Sequence, residues 1–140
     1  MKRITKVLYT ARTETSGGRD NGAARSSDGL LDIRLSSPGS ARIGTNPEQL
    51  FAVGWSASFA SAIALASRKR KIELPAKVSI DAEMDLNLTD GGYFLSARLD
   101  VGLPGLERNV AKDLVEEAEK ICPYSKATRG NIDLTIKLAD

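Results

Sequence analysis

The chain of 140 residues contains no histidine and a single cysteine, Cys122. Without histidine there is no Ser-His-Asp triad, no Cys-His dyad and no imidazole-bound metal. One cysteine forms neither an intrachain disulfide nor a thiolate zinc site. Acid–base or redox chemistry is left to carboxylates, Lys, Arg, Tyr or the lone thiol. An unbridged cysteine suits a reducing cytosol. Charge of one sign is also lacking: 20 basic against 18 acidic residues leave +2, too little to argue for nucleic acid or a membrane as partner. Hydrophobic residues make up 41% and charged residues 27%, with aromatics at 5%. That balance fits one globular domain, spanning 1–140.

Two segments raise the question of a membrane. Lys6, Arg12 and Glu14 interrupt any apolar run near the N-terminus, so no signal peptide is expected there and a cytoplasmic location is. Residues 49–67 carry no charge and match a membrane span in length. Their Ser, Ala and Gly content reads instead as a helix buried in a soluble protein.

Residues 3–13, rich in Val, Thr, Ile and Tyr, predict a strand. Residues 16–22 form a loop of turn residues. Short strands follow near 24–27 and 31–35, separated by a turn at Asp28-Gly29. Asn46 can cap a helix, Pro47 fits its first position, and Gln49 sits where a capping-box partner would. This helix is expected to run to about Arg70. Its apolar residues, from Leu50 to Leu65, cover most of its circumference and predict burial nearly all round. Strands at 77–88 and 93–103 flank a turn at Asp90-Gly91-Gly92. A second, amphipathic helix is expected over 106–122 and is stopped by Pro123. A strand at 132–138 completes a βββ-α-ββ-α-β order. The fold class is α+β, with mostly antiparallel sheet packed around one long apolar helix. A chain of this size seldom wraps so apolar a helix alone, so a homodimer pairing these helices is expected.

Four segments then stand out together: Ser16-Gly17-Gly18-Arg19-Asp20, Asn46-Pro47-Glu48-Gln49-Leu50-Phe51-Ala52, Gly54-Trp55-Ser56-Ala57-Ser58-Phe59, and the run from Cys122-Pro123-Tyr124-Ser125 to Asn131. With Leu103-Pro104-Gly105-Leu106-Glu107, they make the whole chain resemble the organic hydroperoxide resistance (Ohr) proteins of the Ohr/OsmC superfamily. The resemblance implies an OsmC-like intertwined homodimer and a thiol peroxidase without cofactor or metal. In such proteins a peroxidatic cysteine becomes a sulfenic acid. A resolving cysteine then closes a disulfide, and a dithiol, typically a lipoyl group on a protein, reopens it. The resemblance places the peroxidatic position at Ser58, the resolving thiol at Cys122, and the assisting groups at Arg19 and Glu48. It implies an organic hydroperoxide as substrate.

Serine at position 58 departs from that pattern. A hydroxyl stays protonated at neutral pH, and oxygen does not climb the sulfenic-acid ladder. The chain as it stands reads as a near-isosteric, inactive Cys-to-Ser form. A natural, non-catalytic relative holding a hydrophobic ligand is the alternative.

Residue by residue, plainer readings exist. Ser58 could simply pack among small neighbours, with its hydroxyl bonded one turn back. Cys122 could be a buried hydrophobe; the end of a helix disfavours negative charge on its sulfur, which suits a resolving thiol. Arg19 could be a solvated cation or a guanidinium that holds peroxide oxygens. Glu48 could complement the helix dipole or clamp Arg19. Arg68-Lys69-Arg70-Lys71 is either a solvated helix end or a patch for an acidic reductase. Phe51, Trp55, Phe59, Tyr93, Phe94 and Tyr124 are candidates for an apolar substrate pocket. Ten residues separate Glu48 from Ser58, about 15 Å along a straight helix and roughly 80° around it. On an unbroken helix the two can hardly reach one peroxide: either the helix is broken, or Arg19 and Glu48 serve the Ser58 of a second subunit, and the shared site is the expectation preferred.

Overall fold

The computed structural model describes residues 3–140. They divide into two compact units, with the boundary between Pro47 and Glu48.

The first unit holds three short strands, β1 (Thr13–Ser16), β2 (Ala23–Ser26) and β3 (Asp32–Arg34), in one antiparallel sheet of that order. Thr13 faces Ser26 and Ser16 faces Ala23, while Ala24 faces Ile33. The β1–β2 loop turns through Gly17 at a φ of 72°. Gly22 is buried there, and a Cβ on it would lie 2.4 Å from the Gly18 carbonyl oxygen. Only glycine fits that approach. The β2–β3 turn forms at Asp28-Gly29 as expected. The Asp28 carboxylate accepts from the Ser26 hydroxyl at 2.5 Å and the Leu30 amide at 3.0 Å. These bonds, the Ser26 hydroxyl first, lower its pKa. Arg42 donates to the carbonyls of Leu35 and Gly22, at 2.9 and 3.2 Å.

The strand expected over 3–13 is not what forms. Among the described residues, 3–12 carry no regular secondary structure, and β1 begins at Thr13. The composition favours a strand, but a strand needs a partner to exchange backbone hydrogen bonds with; among the described residues Ser27 bonds Arg12, and none pairs as a strand along 4–11. Ile4, Val7, Leu8 and Tyr9 are left exposed.

The second unit is built on α1 (Pro47–Lys69), a continuous helix of 23 residues. It is followed by β4 (Ser79–Thr89), β5 (Gly92–Gly102), α2 (Arg108–Ile121), α3 (Pro123–Thr128) and β6 (Asp133–Leu138). β4 and β5 form the expected hairpin, and β6 lies parallel to β5, so the sheet order is β4-β5-β6. Alternation sorts its faces. Ala97, Leu99 and Val101 of β5 are buried and sit level with Leu134, Ile136 and Leu138 of β6. Trp55, Phe59 and Ile63 of α1 and Leu114 and Ala118 of α2 complete that core.

Arg98, on the opposite face of β5, takes Asp85 in a two-pronged pair at 2.6 and 2.8 Å and reaches Glu83 at 3.1 Å. The Ser96 hydroxyl donates to the same Asp85 at 2.8 Å. Asp85 is thereby held down to a pKa of about 2, with the Arg98 hydrogen bonds the largest cause.

By length and composition α1 could cross a membrane. Its burial is one-sided rather than nearly complete. Trp55, Phe59, Ala62, Ile63 and Ala66 face the core. Leu50, Val53, Ala57 and Ser61 form an exposed line along the helix. One three-stranded sheet and one helix cover only one side of a helix this long.

The basic run after α1 is less free than its composition suggests. Arg70 pairs with Glu117 at 2.8 Å and Asp113 at 3.7 Å, both on α2. Lys71 adopts a left-handed φ of 57°. Its amide donates to the Arg68 carbonyl at 3.1 Å, and the Ile72 amide to Ser67 at 2.9 Å. This is a Schellman closure with lysine where glycine is usual.

Candidate functional site

α1 carries Ser58 at its middle, half-buried, flanked by the buried Trp55 and Phe59. The chain returns to this point at Cys122. That residue follows the last turn of α2, and its amide donates to the Ala118 carbonyl at 2.8 Å. Pro123 disfavours helical geometry at the residue before it. Cys122 accordingly lies at φ −59° and ψ 122°, extended rather than helical.

The proline both stops α2 and starts α3, where its missing N–H costs nothing. This short helix was not expected. Pro123 reads in sequence as a terminator, and six residues are too few to show a helical period. Cys122 therefore sits between two helices rather than at the free end of one.

The two side chains meet. The Cys122 thiol donates to the Ser58 hydroxyl oxygen at 3.5 Å, and Cys122 is fully buried. A disulfide needs its sulfurs about 2.05 Å apart. The contact joins residues 64 apart in sequence.

A second contact runs beside it. The indole N–H of Trp55 donates to the Ser125 hydroxyl at 3.2 Å, and both residues are buried. The Tyr124 ring lies over α1 where Gly54 leaves room, and a Cβ on Gly54 would be 3.5 Å from it.

Arg19 lies in the exposed β1–β2 loop of the first unit, and Glu48 in the first turn of α1, half-buried. α1 is unbroken between Glu48 and Ser58, which removes the alternative of a broken helix. Of the aromatic candidates, Trp55 and Phe59 are fully buried core residues, and the Phe51 ring packs edge-on against Trp55 at 5.9 Å. Tyr93, Phe94 and Tyr124 remain accessible. A cavity of about 410 Å³ lies elsewhere in the unit, walled by Ser79, Leu103, Leu106, Arg108 and Leu138, and includes neither Ser58 nor Cys122. Among the described residues no cluster of three or more Cys, Asp or Glu is placed to hold a metal ion.

Comparison with known proteins gives the family. The family described as OsmC-like protein matches residues 37–137. An organic hydroperoxide resistance protein of Xanthomonas axonopodis pv. citri is 45% identical over 138 residues, covering 96% of each chain. OhrB of Bacillus subtilis is 38% identical over 135 residues, covering 94% of this chain and 98% of its own. An organic hydroperoxide resistance protein from Legionella pneumophila superposes with a TM-score of 0.89 at 41% identity, over 96% of this chain and all of that one. The chain belongs to the OsmC-like family, within its organic hydroperoxide resistance group.

Proposed function

We propose that this fold is that of a thiol peroxidase acting on organic hydroperoxides, with position 58 as its peroxidatic site and Cys122 as the resolving thiol. The contact between Ser58 and Cys122 at 3.5 Å carries the reading. A thiolate at position 58 would attack the outer peroxide oxygen. The O–O bond would break, the alkoxide would leave as the alcohol after taking a proton, and the sulfur would hold the sulfenic hydroxyl. Cys122 would then attack that sulfur, forming the S–S bond and releasing water. A dithiol of the lipoyl type would return both thiols by exchange. No cofactor or metal enters this cycle.

Serine at position 58 stops the cycle at its first step, and the chain as it stands is an inactive form. Half-burial of position 58 against full burial of Cys122 supports the division of roles. The residue that meets substrate is reachable, and the residue that waits is enclosed.

Arg19 and Glu48 assist the peroxide step, Arg19 by holding the peroxide oxygens and Glu48 by holding Arg19. In this reading Glu48 serves position 58 of a second copy, and the protein works as a homodimer; the unbroken α1 supports it. The exposed line Leu50, Val53, Ala57 and Ser61 supports it: Leu50 and Val53 offer apolar surface to cover, and the small Ala57 and Ser61 let a second helix approach closely. The apolar residues left exposed between Ile4 and Tyr9 support it as well. The protein would work in the cytoplasm, where dithiol reductants are found, without nucleic acid or membrane as partner.

The test is to make Ser58→Cys and follow consumption of an aryl or fatty-acid hydroperoxide with dihydrolipoamide, beside the serine form. Sustained turnover in the cysteine form alone is expected. If both forms are folded and neither turns over, the peroxidase reading is wrong.

A further inference from the structure

We infer that the buried hydrogen bond from Trp55 to Ser125 is a positioning clamp that holds Cys122 against position 58 and thereby sets how readily the two close a disulfide. The inference rests on the proposed peroxidase reading for its biological meaning, but the juxtaposition it concerns is geometric.

Two cross-links join α1 to the segment after α2. Trp55 meets Ser125 at 3.2 Å, and Ser58 meets Cys122 at 3.5 Å. On each side the partners are three residues apart, one helical turn, so the links lie as neighbouring rungs. The rung at Ser125 is the stronger anchor. Trp55 and Ser125 are 0% and 2% exposed, and an indole N–H has one hydrogen to give and is shut away from bulk solvent. Moving α3 away from α1 would leave that donor buried and unpaired, so the α3 backbone is tied to α1. The backbone of Cys122 is bonded to α2 through Ala118 and to α3 through Lys126, at 2.8 and 3.0 Å, but its one hydrogen bond to α1 comes from the thiol. Its preproline conformation places it outside both helices, and a thiol is a weak donor. How closely Cys122 is held to α1 is thus set largely one turn further on, at Ser125. Loss of the bond would let the segment drift while leaving the sulfur chemistry unaltered.

The test uses the Ser58→Cys protein, in which oxidation forms the S–S bond between the two sulfurs and removes two electrons and two protons. Its disulfide is equilibrated against reduced and oxidised glutathione, and the effective concentration of the thiol pair is read from the fraction oxidised. The same is done after adding Trp55→Phe, Ser125→Ala, or both. Each single change is expected to lower the effective concentration about tenfold, which is about 30 mV. Both together are expected to lower it by the same tenfold, because one shared bond is lost once. Dimedone trapping after one equivalent of hydroperoxide should show more sulfenic acid at position 58 in each of the three variants.

An unchanged effective concentration in folded Ser125→Ala would overturn the inference, as would a hundredfold loss in the double change. Failure of the Ser58→Cys protein to form any disulfide would overturn it too. If the disulfide forms and shifts as expected while no hydroperoxide is consumed, the peroxidase reading falls and the clamp stands.

Discussion

Single side chains on the outer face of the β4-β5-β6 sheet make the electrostatics of this protein concrete. Arg98 grips Asp85 with two parallel hydrogen bonds, and Ser96 adds a third to the same carboxylate. The Asp85 pKa falls from 3.8 to about 2. A group whose pKa is depressed by folding stabilises the folded state fully above its unfolded pKa, and loses that effect as pH falls through the folded value. Asp85→Asn should therefore melt below the parent protein at pH 7. The gap should narrow between about pH 4 and pH 2, as scanning calorimetry across that range would show. A gap that does not change with pH would mean that the carboxylate's charge is not what matters. At this same scale the sequence was partly readable. Ser58, Cys122, Arg19 and Glu48 stand in short motifs and can be picked out by resemblance. The partnership of Trp55 with Ser125 could not be, because it spans 70 residues and each residue alone looks like ordinary core or loop.

Elements were legible where their residues carry a period, and illegible where a partner decides. The β4–β5 hairpin and both longer helices follow directly from alternation, helical spacing and turn residues. α3 was hidden behind the proline that begins it, and residues 4–11 have the composition of a strand without a neighbour to pair with. The end of α1 shows a local compromise. Lys71 holds a left-handed conformation that costs an L side chain about 1 kcal/mol or more, and glycine would hold it without that strain. Glycine also frees the unfolded chain, which returns part of the gain. Lys71→Gly should accordingly raise stability by about 0.5 kcal/mol net, measured by urea unfolding at constant m-value. A loss of stability would show that the lysine side chain does more than close the helix.

The apolar side of α1 that its own chain leaves open bears on the whole molecule. Val53 is 68% exposed, an unusual place for valine at the centre of an apolar line. In a lone chain Val53→Glu would be nearly neutral. If two copies pack on this line, the substitution buries a charge in the contact and separates them. Sedimentation should then find a dimer for the parent and a monomer for Val53→Glu at micromolar concentration. Equal sedimentation would remove the dimer. Complete enclosure of Cys122 has one more consequence, for how the molecule can be watched. The protein's only thiol is sealed from solvent, so a thiol-alkylating reagent can reach it only when the structure opens. The native protein thus carries a built-in reporter. Its alkylation should be slow in buffer and should accelerate with urea in proportion to the open population, giving the free energy of opening around α3 without any added label.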